Sequence, residues 1–201
     1  PVGIAETGFG KGLNKLAKKI ALIVGSLRED SINLKLAKAL KDVAPEDFEF
    51  DRIELDDLPP YNQDQEADMP QEVVDLKQRI ESADGVLFVT PEYNRSIPGV
   101  LKNAIDWASR PYGQSSFSGK PTMASGASIG TIGTAAAQQH LRDALVFTDA
   151  YTMAQPEVFI HFPADRFEGD GTIREDAARQ FLSGAMQSFS EWIDGFSQAS
   201  A

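Results

Sequence analysis

Apolar residues fall into two rhythms along this chain. Ile20–Val24 is an uninterrupted apolar run and Val86–Val89 is a second. Such runs suit strands covered on both faces. Phe48–Leu55 reads as a strand, with Phe48 and Phe50 alternating ahead of Ile53 and Leu55. Pro121–Ala124 and Pro156–Ile160 are shorter strand signals. Between the strands the spacing turns helical. Asn33–Leu40 carries Leu36, Ala37 and Leu40, and Pro70–Ala83 carries Val73, Val74, Leu76 and Ile80. Pro98–Ala108 carries Leu101, Ile105 and Ala108, while Thr134–Phe147 carries Ala137, Leu141, Ala144 and Leu145. Glu175–Phe196 closes the chain with Phe181, Leu182, Met186, Phe189, Trp192 and Ile193 on one stripe. Pro70 and Pro98 open their helices at a position that needs no N–H donor.

This alternation predicts a five-stranded parallel sheet with helices on both faces, a three-layer α/β/α sandwich. No Pro- or Gly-rich linker divides it. The pattern therefore reads as one domain over 19–201, preceded by a Gly-rich arm over 1–18 that the sequence leaves open as flexible or as an oligomer contact. Ligands of such sheets bind at the carboxyl ends of the strands. The loops after Val24, Val89 and Ala124 are the ones to inspect.

Charge narrows the ligands. Acidic residues number 30 and basic residues 19, a net charge of −11. Nucleic acid and anionic membranes are repelled, so an anionic ligand must be held by a local site. The absence of cysteine excludes disulfides, thiolate zinc sites, thiol nucleophiles and cysteine-held iron–sulfur clusters. Two histidines, His140 and His161, are few for an imidazole metal site, and no metal is expected. No run approaches the roughly 18 apolar residues of a spanning helix. The start lacks the apolar core of a secretory signal, so a cytoplasmic protein is expected.

The first loop, Gly25 to Asn33, offers Ser26, Arg28, Ser31 and Asn33 at a helix start, where free N–H groups and the helix dipole favour a phosphate. The competing reading is an ordinary cap by Ser31 or Asp30. The second loop, Thr90 to Gly99, holds Pro91, Glu92, Tyr93, Asn94 and Arg95, and could present backbone groups and an aromatic face to a flat ring. Each of these residues also has a plain surface or packing reading. In the third loop, Ser125 to Gly133, glycines allow close backbone approach, or simply a flexible turn. Gly126–Gly130 also spells the G-x-S-x-G of a serine-hydrolase elbow, with Ser128 followed by Asp149 and His161. The short spacing of Asp149 and His161 and the small fold weigh against that chemistry.

The run Gly25-Ser26-Leu27-Arg28 with Ser31 and Asn33, and the run from Pro91-Glu92-Tyr93-Asn94 through Pro98-Gly99, Leu101-Lys102-Asn103, Ile105, Asp106 and Trp107, resemble the NAD(P)H-dependent FMN reductase family, in the pattern of its bacterial quinone/chromate reductases and azoreductases. The resemblance implies a flavodoxin-like fold with strand order 2-1-3-4-5. It implies FMN as cofactor and NADH or NADPH as electron donor. Ser26, Arg28, Ser31 and Asn33 would then cradle the phosphate, and Pro91, Glu92, Tyr93 and Asn94 would line the isoalloxazine. Ser125, Gly126, Ile129 and Gly130 would close its far edge. Family members often carry Gly-Gly and then Arg at the start of the fourth helix, where this chain has Gly133-Thr134-Ala135-Ala136.

The expected reaction is ping-pong electron transfer from NAD(P)H to quinones, chromate or other metal ions, azo compounds or flavins, with no dedicated catalytic side chain. Tyr93, Arg95 and Arg110 are the candidate substrate contacts, with the two arginines as an anion-facing pair. The alternative for the arginines is structural, Arg95 on loop carbonyls and Arg110 on a neighbouring subunit's acid. The alternative for the whole chain is a flavodoxin-type electron carrier. Pro98–Ala108, with Trp107, and Arg110–Phe117 carry more apolar character than a monomer needs, and the resemblance implies a homodimer or homotetramer built on them.

Overall fold

The computed structural model describes residues 17–162, 168 and 170–197. Its elements run β1 (Lys18–Val24), α1 (Ile32–Asp42), β2 (Phe48–Ile53), α2 (Gln71–Ser82), β3 (Gly85–Val89), α3 (Gly99–Ala108), β4 (Pro121–Ser128), α4 (Ala135–Phe147), β5 (Tyr151–Thr152), β6 (Val158–His161) and α5 (Asp176–Ser197). All strand pairings are parallel, in the order β2-β1-β3-β4-β5, with β6 also on β4.

The period of two along each strand builds two cores. Ile20, Leu22 and Val24 of β1 face α1 and α5 with Leu87, Val89, Met123, Leu182 and Phe189. Ala21 and Ile23 face the other side, with Phe88 of β3 and with Leu76, Leu101, Trp107, Leu141 and Leu145 from α2, α3 and α4. The apolar runs are continuous because both faces are covered.

Three boundaries differ from the sequence pattern, each for a tertiary reason. Lys18 belongs to β1 and not to the arm. Its side chain is buried, with Nζ 2.6 Å from Ser190 Oγ and 2.7 Å from Asp194, which fastens α5 to the sheet. Residues 1–16 of the expected arm lie outside the described residues. The fifth strand position is shared by two short strands. β5 pairs with Pro121 and Thr122, and β6 pairs with Ser125 to Ser128. The same pairing extends β4 to Ser128, well past the Ala124 at which its apolar signal stops.

Candidate functional site

The carboxyl ends of β1 and β3 are level. Gly25 N–H donates to the Val89 carbonyl and Thr90 N–H to that of Ser125. The three loops converge just beyond this line.

In the first loop, Ser31 caps α1, its hydroxyl accepting from the N–H groups of Asn33 (3.2 Å) and Leu34 (3.4 Å). Its own proton remains free to donate. Ser26 is buried against the loop and Arg28 is exposed beside it. Asn33 does not join these donors. β3 ends level with Ser125, leaving that flank of β4 without a strand. The buried Asn33 amide fills the gap, donating to the Ala127 carbonyl (3.0 Å) and accepting from the Ala127 N–H (2.9 Å).

In the second loop, Pro91 is buried and the chain folds into a four-residue turn. Tyr93 and Ser96 exchange both backbone hydrogen bonds, at 2.9 and 3.0 Å, and Asn94 and Arg95 between them are left-handed, with φ of 52° and 65°. Tyr93 is half exposed and Arg95 lies open at the tip. Glu92 points inward. One carboxylate oxygen accepts from the Ala137 N–H of α4 (3.1 Å) and the other lies 3.7 Å from Arg95.

The third loop begins at Ile129, not at Ser125. Ser125 sits buried inside the sheet, its hydroxyl donating to the Phe88 carbonyl at 2.9 Å, so it is a strand residue whose side-chain proton is spent within the sheet. Gly126 is also a strand residue. A Cβ there would come within 3 Å of the Thr90 carbonyl oxygen and of Thr134 Oγ1, so the missing side chain serves packing. Ile129 (83% exposed) and Gly130 are exposed just beyond the end of β4. Gly133 seats the loop on β6, where a Cβ would meet the Phe159 carbonyl carbon at 2.6 Å.

Arg110 leaves the proposed pair. It ends α3, whose ten residues carry it about 15 Å along the axis from the loops. There Arg110 Nε donates to Glu66 (2.6 Å), which also accepts from the Tyr61 hydroxyl (2.5 Å). The Tyr61 hydrogen bond and the Arg110 guanidinium hold the Glu66 carboxyl below its ordinary range. The Asn103 and Trp107 of the specific motif also serve this region, donating to the Pro59 carbonyl at 2.9 and 2.8 Å and so fastening the loop before α2 onto α3. Trp107 and Phe117 are fully buried, which removes them from any expected subunit contact.

A hydrolase centre does not form. Ser128 and His161 are register partners on β4 and β6, but Asp149 lies at the far end of the sheet, where its carbonyl accepts from Gly119 ahead of β4. The length of β4 separates the two ends by about 23 Å. Asp149 instead accepts from Ser118, and Ser128 donates to the Gly130 carbonyl.

Sequence patterns did not reveal two residues beside these loops, nor the part Glu92 plays. Glu92, expected to line the ring, caps a helix it is not part of. His140 reaches Ser96 Oγ with Nδ1 at 3.0 Å. Thr134, fully buried, is left-handed at φ 71° and accepts from Gln138 at 3.0 Å. A signal existed only for Thr134, which stands where the family often has glycine.

A family model described as NADPH-dependent FMN reductase matches residues 18–165. A 2-hydroxy-1,4-benzoquinone reductase of Burkholderia sp is 49% identical over 178 residues, 89% of this chain and 97% of the relative. A quinone reductase of Pseudomonas putida is 46% identical over 175 residues, covering 87% and 94% of the two chains. The structure of a flavoenzyme NAD(P)H:(acceptor) oxidoreductase from Paracoccus denitrificans superposes with a TM-score of 0.86 at 46% identity, covering 90% of this chain and 99% of that one.

The residues present fit FMN. The loop at the start of α1 carries hydroxyl and guanidinium donors, and its Asp30 carboxylate is paired with Lys35, which suits a phosphate. Tyr93, Ile129 and Gly130 are all exposed at the strand ends, where a flat ring could reach them. A family match over most of the sequence, relatives alike over nearly their whole length, and a donor loop beside an open aromatic turn at the strand ends converge, and the chain belongs to the NADPH-dependent FMN reductase family as an FMN-dependent oxidoreductase.

Proposed function

We propose that this chain reduces quinones with NADH or NADPH, its FMN phosphate held by Ser26, Arg28 and Ser31 and its ring lying between the Pro91–Asn94 segment and the Ile129–Gly130 edge. Bound FMN supplies the hydride chemistry, and the protein supplies position and electrostatics. The observation that carries the reading is the placement of the α1 donors beside the exposed Tyr93 turn, at the one sheet edge where all three loops meet. Glu92 is turned into α4, so it lines the ring by its backbone and not by its carboxylate.

Tyr93 and Arg95 face the acceptor. The Burkholderia relative's substrate points to a hydroxylated benzoquinone, a vinylogous acid that is anionic at neutral pH. Arg95, 76% exposed, is the cation positioned to meet it. Chromate, azo compounds and free flavins are further acceptors of the same open site. Donor and acceptor use the site in turn, which gives ping-pong kinetics.

Steady-state assays of the flavin-loaded protein with NADH and NADPH test this against 1,4-benzoquinone, its 2-hydroxy derivative, chromate, an azo dye and FMN. The expected outcome is quinone reduction with parallel double-reciprocal lines. Oxidation of neither nicotinamide would leave a one-electron carrier as the better reading.

The subunits pair through Tyr112, Val146 and Phe147. All three are strongly exposed, and Phe147 lines a groove of about 520 Å³ between α3 and α4. A monomeric mass in light scattering at micromolar concentration would oppose this.

A further inference from the structure

We propose that α4 clamps the Tyr93–Ser96 turn from both flanks, with Glu92 and His140 as positioning residues that set the acceptor-side wall of the site. The proposal rests on the flavin ring lying at that turn.

The turn is costly to hold. Two adjacent residues with side chains are left-handed, and Arg95 has none of the local hydrogen-bonding excuse that Asn94 has. Such backbone persists only where its surroundings over-determine it. Its own two backbone hydrogen bonds close the turn without fixing it in space.

The fixing comes from α4. Ala137 is the third residue of that helix, and its N–H is among those a helix cannot satisfy internally. The local N-cap, Thr134, makes no capping bond; its backbone is left-handed, not the extended form of a capping residue, and its hydroxyl accepts from Gln138. Glu92 supplies the cap from a different loop, and a carboxylate at a helix N-terminus is also favoured by the dipole. Its second oxygen faces Arg95 and restrains the guanidinium at the tip. On the other flank, Ser96 Oγ meets His140 Nδ1 one turn further along α4.

Both ends of the turn are thus fastened to the first two turns of one helix. The third loop runs directly into the same helix at Ala135. A displacement of α4 therefore moves both walls of the site together, and the geometry assigns Glu92 to positioning and not to contact with the flavin.

Hydrogen exchange by mass spectrometry tests this on the holoenzyme and on flavin-stripped protein. Glu92→Ala should speed exchange across residues 93–98 by about tenfold in both forms, the scale of one charge-assisted hydrogen bond. Glu92→Gln keeps an oxygen for the Ala137 N–H and should return exchange most of the way to the wild-type rate. His140→Ala should loosen the same segment. Glu92→Ala should also raise KM for a neutral quinone more than it lowers kcat, as a displaced wall predicts. Wild-type exchange in Glu92→Ala, or Glu92→Gln exchanging as fast as Glu92→Ala, would overturn the clamp. Failure of the flavin reading is distinct, because wild-type protein would then take up no FMN while its exchange pattern stayed measurable.

Discussion

Gly126→Ala separates two reasons for a glycine near a flavin: close approach of the cofactor, and close packing of the protein on itself. The residue lies in β4, paired with Phe159 of β6. Its Cβ would enter a space bounded by the Thr90 carbonyl oxygen and Thr134 Oγ1, both nearer than 3 Å, with Thr134 Cβ at 3.2 Å. Thr134 could turn its hydroxyl away by giving up the Gln138 contact. The Thr90 carbonyl has no such freedom, because Thr90 N–H is bonded to Ser125 at 2.9 Å in the β3–β4 ladder. One added methyl must therefore displace backbone. The cost belongs to the upper part of the overpacking range, about 2–3 kcal/mol. In a domain of this size that lowers Tm by roughly 4–12 °C. Thr134→Gly in the same chain removes one of the two obstacles and relieves a left-handed β-branched residue. The double variant should recover about half of the loss, since the Thr90 carbonyl remains. Thermal unfolding of flavin-free protein, alongside FMN titration by fluorescence quenching, reads both properties. A Gly126→Ala protein with unchanged Tm and lost FMN affinity would refute the packing argument and place the flavin against this glycine.

Arg28→Ala should weaken FMN binding by about 1–3 kcal/mol, the range for a hydrogen bond to a charged group, and an unchanged dissociation constant would move the phosphate elsewhere. Arg95→Gln should raise KM for 2-hydroxy-1,4-benzoquinone and chromate more than for unsubstituted benzoquinone, because only the anions lose an attractive partner; equal effects would make Arg95 a shaping residue. Glu66 binds its proton less tightly in the folded chain than its ordinary value of 4.5, so its stabilisation is complete above that value and is lost as pH falls through the lower folded one. Glu66→Gln should therefore flatten the loss of stability in acid, followed by circular dichroism, and identical slopes in the two proteins would refute the assignment.

The layered fold was legible because its signal is local. A strand buried on both faces must be apolar at every position, and Ile20–Val24 and Val86–Val89 are. A helix covering a sheet needs one apolar stripe, and each of the five helices has one. The parallel order follows once strands and helices alternate, since parallel neighbours need a crossover. The helix start in the first loop was equally legible, and Ser31, one of the two caps the sequence offered, is the residue that caps it.

What tertiary structure alone decided is where polar groups spend their hydrogen bonds. Asn33 resembles a phosphate ligand in one dimension and becomes part of the sheet because β4 outruns β3, which no property of Asn33 announces. Ser125 and Gly126 look like loop residues until β6 pairs with them and makes them strand. Arg110 follows the flavin-side helix in sequence, yet a helix transports its end away at 1.5 Å per residue, toward Glu66 and Tyr61. Trp107 could have faced a partner until the loop carrying Pro59 and Tyr61 covered it. Glu92 finds the N-terminus of α4 across 45 residues of chain. Apolar periodicity is a property of neighbours in sequence and survives without coordinates, whereas a polar side chain's partner is a property of neighbours in space, set only when the distant segments meet.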